Sequence, residues 1–276
     1  MKACSVISRG KRAVLAAMFS CCAVFSAEAV QVDTELVILV ESRTSPNSDF
    51  DVIIEGVARA FEQQSFADRL AAGPTGSIAA SVILFNSATE LAQGIANGVP
   101  WMQLSSTADL QNFASQIRNI NNPPSSGNVD YAGAIAAGAA QLASSVFEGS
   151  VRQITLIDDG TGFFDSDPNG TRAARDAALA SSADVINAVV FGTQGDFQSN
   201  AAESFYNANV IGGTDANVEV IRERTNNTPT IAEQTDLIQN AIVTQINPET
   251  LSVVPEPSAF ALLLVAGLPF LARRKR

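Results

Sequence analysis

The stretch LVILVESRTSPNSDF, residues 36–50, fixes how the rest of the chain is to be read. Five consecutive apolar residues, Leu36 to Val40, describe a strand buried on both faces, because a strand with one wet face would alternate polar and apolar residues. A polar loop follows, and then a helical pattern from Val52 to Gln64 that sets Ile53, Val57, Ala60 and Phe61 on one face. Loops that leave the ends of such strands are where open α/β sheets bind their ligands. Glu41, Arg43 and Ser45 are the chemistry-bearing residues of this one, and a guanidinium is out of place in a cage of oxygens.

Working outward, apolar runs keep alternating with helical patterns, which predicts a mostly parallel sheet covered on both faces. Ser77–Phe85 reads as a strand, and a short edge strand is expected between Leu91 and Met102, the connection being too short for a crossover helix. Helices are expected at Ala108–Asn119 and Tyr131–Phe147, with a Pro, Ser and Gly loop between them. After them come strand Gln153–Ile157, helix Gly170–Ser181, strand Asp184–Phe191, a short helix at Ser199–Tyr206, strand Val218–Ile221 and helix Ala232–Ile246. No internal repeat is visible.

The two ends do not belong to this pattern. Lys2, Arg9, Lys11 and Arg12 precede an apolar run from Ala13 to Phe25, and Ala27-Glu28-Ala29 supplies small residues for a signal peptidase, so residues 1–29 read as a secretory signal peptide. The run of 13 residues is short for an uncleaved membrane anchor, which needs ~20. Met18-Phe19-Ser20 is a poor approach to a lipidated Cys21 or Cys22. At the other end, Pro255-Glu256-Pro257, an apolar run from Ala259 to Ala272 and the cluster Arg273-Arg274-Lys275-Arg276 follow in close order. The basic cluster should stay cytoplasmic, leaving residues 30–253 across the inner membrane. Residues 254–276 resemble the PEP-CTERM sorting signal, with its transmembrane helix and basic tail. That resemblance implies recognition by an exosortase, cleavage near the motif, and delivery to the surface or extracellular matrix of a Gram-negative, exopolysaccharide-producing bacterium. A plain C-terminal anchor is the alternative. Residues 30–246 then form one domain and 247–253 a linker.

Composition narrows the chemistry. Cys4, Cys21 and Cys22 all lie in the signal, so the domain has neither disulfide nor thiolate metal site. With both ends set aside, residues 30–255 hold 9 Lys and Arg against 26 Asp and Glu, a net charge of −17. Such a surface repels nucleic acid and anionic polysaccharide unless cations bridge them. The chain has no histidine, which excludes Ser-His-Asp and Cys-His catalysis and histidine-ligated zinc.

The order of elements resembles the von Willebrand factor A domain over roughly residues 32–246. The stretches that carry it are Asp33 to Val40 before the polar loop, Val82–Phe85, Val99-Pro100-Trp101, Val129-Asp130-Tyr131-Ala132-Gly133-Ala134-Ile135, Leu156-Ile157-Asp158-Asp159-Gly160, and Phe205-Tyr206 leading to Val210-Ile211-Gly212-Gly213. The last of these is similar to the secreted bacterial group DUF1194. The resemblance implies a Rossmann-like, doubly wound, mostly parallel six-stranded sheet with one antiparallel edge strand. It also implies a metal-ion-dependent adhesion site built from an Asp-x-Ser-x-Ser loop, a threonine and a later aspartate. Those positions fall on Glu41, Arg43, Ser45, Val129 and Asp159, of which Ser45 and Asp159 match. A register through Ser42 and Thr44 would turn the wrong side chains outward, and ordinary solvated loop charges are the plain alternative. The expectation is a degenerate site in which Arg43 stands for the cation and pairs with Glu41 or Asp159, so that no cofactor binds.

Two local patterns compete for attention. Ile157-Asp158-Asp159-Gly160-Thr161 is like the nucleophile loop of haloacid-dehalogenase-type phosphatases, but Ile157 occupies the nucleophile's place. Asp165-Ser166-Asp167-Pro168-Asn169-Gly170 has oxygens spaced as in a calcium loop, lacks the downstream carboxylate, and reads equally as a turn. The function expected is a noncatalytic binding module of the surface or matrix, whose partners are signal peptidase and exosortase during export and then an unknown protein or exopolysaccharide. A matrix-polymer hydrolase using Asp158 and Asp159 is the alternative, as is an adhesin that still needs its metal. Against the hydrolase, adjacent strand residues point to opposite faces, and one Trp and two Tyr leave little to stack sugars.

Overall fold

The computed structural model describes residues 29–42, 49–88, 90–121, 128–160, 167–223 and 231–245. The expected secretory signal except for Ala29, the expected linker and the expected sorting motif Pro255, Glu256 and Pro257 lie outside the described residues, as do Arg43 and Ser45. No helix among the described residues is long and apolar enough to cross a membrane.

The elements run β1 (Val30–Glu41), α1 (Asp49–Glu62), α2 (Gln64–Ala72), β2 (Ile78–Phe85), α3 (Leu91–Asn97), β3 (Val99–Leu104), α4 (Thr107–Arg118), α5 (Tyr131–Ala143), β4 (Phe147–Asp158), α6 (Pro168–Ser181), β5 (Val185–Gln194), α7 (Gly195–Asn209), β6 (Gly212–Gly213), β7 (Val218–Glu223) and α8 (Ile231–Gln245). They build a seven-stranded sheet in the order β3-β2-β1-β4-β5-β6, with β7 also paired to β5. The strands β1, β2, β4, β5 and β7 are parallel, while β3 and the two-residue β6 are antiparallel. The doubly wound, mostly parallel α/β fold expected from the sequence is therefore present. The sheet has one more strand, and one more antiparallel edge, than expected.

β1 lies at the centre, and its alternation sorts the core into two layers. Leu36, Ile38 and Val40 point to the layer made with α1, α4 and α8, where Phe61 meets Phe113 edge to face at 4.8 Å. Val37 and Leu39 point to the other layer, with Tyr131, Ile135, Ile154, Leu156 and Tyr206. β1 and β4 begin earlier than their apolar runs, because each buried acid at the start of β1 meets a backbone donor. Asp33 accepts from the Thr75 amide at 2.7 Å, and Glu35 from the Gly149 amide at 2.9 Å. α5 ends at Ala143 rather than Phe147, since Phe147 and Glu148 pair with Val30 and Gln31 of β1.

Two helices escaped the sequence reading. α2 follows α1 after a one-residue break at Gln63, whose extended backbone ends the first helix about where the sequence pattern ends it and starts a second one that the pattern leaves unassigned. α3 fits the short connection before β3 because Gly94 lies against the Leu84 carbonyl, where any Cβ would collide with the strand backbone. The suspected calcium loop contributes a helix start: the Asp167 side chain accepts from the Asn169 amide at 3.0 Å and caps α6, with Pro168 in its first turn.

Candidate functional site

Strand register decides what gathers at the carboxyl end of the sheet. Val40 pairs with Ile157, so the next residues, Glu41 and Asp158, stand side by side on neighbouring strands. Both continue the alternation that sends Val37 and Leu39 of β1, and Ile154 and Leu156 of β4, into the Tyr131 layer. Two carboxyl groups thus enter an apolar layer together. β4 ends at Asp158, and with Gly160 in the left-handed region at φ 74° the chain turns back, bringing Asp159 to the same place. One carboxylate oxygen from each of Glu41, Asp158 and Asp159 lies within 4.8 Å of the others. The expectation that Asp158 and Asp159 point apart does not hold, because the strand stops between them.

All three acids are buried: 2% of Glu41, none of Asp158 and 7% of Asp159 is exposed. Hydrogen bonds hold the cluster from inside. The Asp159 amide donates to Glu41 Oε2 at 3.1 Å, the Tyr131 hydroxyl to Asp158 Oδ2 at 2.5 Å, and the Gly160 amide to Asp158 Oδ1 at 2.5 Å. Behind Tyr131, the Tyr206 hydroxyl donates to the Tyr131 oxygen at 3.1 Å. Glu41 Oε1 is enclosed without a hydrogen-bond partner.

Burial, and then the charges of Asp158 and Asp159, hold the Glu41 carboxyl well above the ordinary range. Burial and the charge of Asp159 push Asp158 up to about 6, against the opposing pull of its donors. Burial and the Asp158 charge raise both Tyr131 and Tyr206, which keeps the phenols protonated as donors.

Of the five positions singled out from the sequence, three are described. Glu41 and Asp159 meet. Val129 is 4% exposed and packs into the Phe85 and Tyr131 layer just ahead of α5. Its neighbour Asp130 accepts from the Gly133 amide at 2.8 Å and caps that helix. Tyr131 and Tyr206 are not among the five positions, and Asp158 enters the sequence reading only beside Asp159 in the hydrolase alternative, although the alternation of β4 points it inward. The tyrosines could be found only from the fold, since Tyr206 arrives from a helix 75 positions along the chain.

A family model for proteins of unknown function, DUF1194, matches residues 31–236. The chain belongs to that family. No curated protein matches it. Among solved structures, the pilus adhesin SpaC from Lactobacillus rhamnosus GG in its open conformation has a TM-score of 0.51 at 11% identity, covering 81% of this chain and 30% of that one. A second SpaC structure gives 0.52 at 10% identity, over 81% and 31%. An aerotolerance-related membrane protein from Bacteroides fragilis NCTC 9343 is matched at 16% identity and a TM-score of 0.40, over 78% of this chain and 98% of that one. The chain spans less than a third of the adhesin's length. The two adhesin likenesses concern the fold alone, which is von Willebrand factor A-like.

Proposed function

We propose that this DUF1194 member is an exported, noncatalytic binding module that holds a surface or matrix partner with the loops at the carboxyl end of its sheet, and does so without a divalent cation. The observation that carries the reading is the pairing of an enclosed, internally hydrogen-bonded acid cluster with Val129 packed into the core. A hard dication takes about six oxygens in near-fixed positions. Here both Asp158 oxygens already accept from Tyr131 and Gly160, one Glu41 oxygen accepts from Asp159, and Val129 has no side-chain oxygen to give. The described residues therefore fit a dication poorly. The sequence supplies a cation of its own in Arg43, two residues beyond Glu41. A guanidinium ~4 Å from a bound ion would oppose it by about 4 kcal/mol per unit charge at an effective dielectric of 20.

Burial of Asp158 with both oxygens occupied also disfavours the hydrolase, which needs two carboxyls facing one another across an open cleft. Export is supported by the two terminal signals, and β1 begins at Val30, so cleavage there leaves the central strand whole. A metal-dependent adhesin is the second reading, favoured by the three carboxylates within 4.8 Å. The partner surface is tested by capture of the producing cells' matrix fraction on residues 30–253. Alanine at Ser45, Asn128 and Asp159 together should weaken capture at least tenfold, whereas alanine at Pro74 and Thr75, at the opposite end of the sheet, should leave it unchanged. Equal loss from both sets would remove the basis for placing the site.

A further inference from the structure

The far end of the sheet holds a second feature that the carboxyl-end cluster does not explain. On the face of β4 and β5 that packs against α8, the apolar pattern fails at the starts of the strands. Ile157 and Val189 fill the core further along, but Gln153, Thr155 and Asn187 stand on the same face and are 4% exposed or less. Buried amides on an inner sheet face are costly unless their hydrogen bonds are made. Some are made: Gln153 Nε2 donates to Thr155 Oγ1 at 2.8 Å and to the Gln245 carbonyl at 3.2 Å, Gln245 Nε2 donates to the Ala188 carbonyl, and Asn187 Oδ1 accepts from the Asn217 amide at 2.9 Å.

The remainder are open and meet a cavity. Gln245 is 7% exposed, and its Oε1 is enclosed without a partner. Gln153, Asn187 and Gln245 all line a cavity of about 300 Å³, with Asp184, Thr214 and Asp215 also on its wall. That volume is at the lower end for small-molecule sites. The cavity lies five to seven residues back along β4 from Asp158, a distance on the order of 20 Å from the acid cluster.

We propose that this cavity is a binding site for a neutral polyhydroxyl ligand the size of one monosaccharide unit. The chemistry follows from the free groups. Gln245 Oε1 needs a donor, while the Asn187 amide nitrogen, whose own oxygen is already bonded, needs an acceptor. A hydroxyl is both, whereas an ammonium group can only donate. Anions are opposed by Asp215 and, less strongly, by Asp184, which Arg152 meets at 3.8 Å from outside the wall; no Lys or Arg lines the wall itself. The site does not depend on the partner surface at the other end of the sheet, so either can fail without the other.

The test is saturation-transfer NMR on the full chain with glucose, galactose, mannose and N-acetylglucosamine, and with glucuronate as the anionic control. At least one neutral sugar should receive saturation with a millimolar Kd, and glucuronate should bind at least tenfold more weakly. Gln245→Met should lower the sugar affinity at least tenfold. Thr214→Trp, at an exposed position on the wall, should fill the mouth and have the same effect while leaving Tm unchanged. Absence of transfer to every neutral sugar, or binding that survives either variant in folded protein, would overturn the proposal, as would preference for glucuronate or for a simple amine.

Discussion

Glu41 and Asp158 enter an apolar layer as neighbours, and the consequence is a pH dependence of definite sign. Both have folded pKa values above their unfolded ones, so each stabilises the fold while protonated and loses that contribution as pH rises through its folded value. For Asp158 the loss falls between about pH 4 and about 6; for Glu41, raised in the same direction, it sets in as pH rises past the ordinary glutamate range. Glu41→Gln keeps the shape and the acceptor for the Asp159 amide while removing one negative charge from the cluster. It should raise the urea midpoint at pH 8, leave it nearly unchanged at pH 4, and flatten the profile between. A variant less stable than the parent at pH 8 would overturn the reading that an ionised Glu41 burdens the buried cluster. Tyr131→Phe removes the donor to Asp158 and the acceptor for Tyr206 at once, and should cost about 1–3 kcal/mol in urea unfolding.

At the level of elements, α3 and α4 make different kinds of claim. Gly94→Ala drives a methyl into the Leu84 carbonyl and should lower Tm by several degrees, because backbone cannot move aside as a side chain can. Arg118 joins α4 to α1 through Glu55 at 2.7 Å and Glu62 at 2.6 Å. All three side chains are about one-third exposed, so Arg118→Ala should cost no more than about 1 kcal/mol and lose its effect in high salt. The strands that carry apolar runs were legible in the sequence, since a doubly buried strand has a composition that few other segments share. What escaped was set by tertiary contact: α3 depends on one close approach to β2, and β6 is two residues held by pairing with Val185 and Ile186. At the site, alternation could have placed Asp158 beside Glu41, but the turn at Gly160 that returns Asp159 to them has no period to read.

For the whole molecule, a charge of −17 over residues 30–255 makes copies of the domain repel one another, which favours dispersal in solution. Intact-mass analysis of the exported chain should show a start near Val30 and loss of the tail close to Pro255; a full tail recovered in the inner membrane would point to a plain anchor. The central claim is that the carboxyl end of the sheet works without a divalent ion, and a thermal melt of the domain with and without millimolar magnesium or manganese tests it most directly. The account predicts no shift in Tm for the natural sequence, and a gain of several degrees once Glu41→Asp, Arg43→Ser and Val129→Thr are combined to restore the oxygens. A clear magnesium-induced rise in the unmodified domain, abolished by Asp159→Ala, would contradict it and make this a metal-dependent adhesion site.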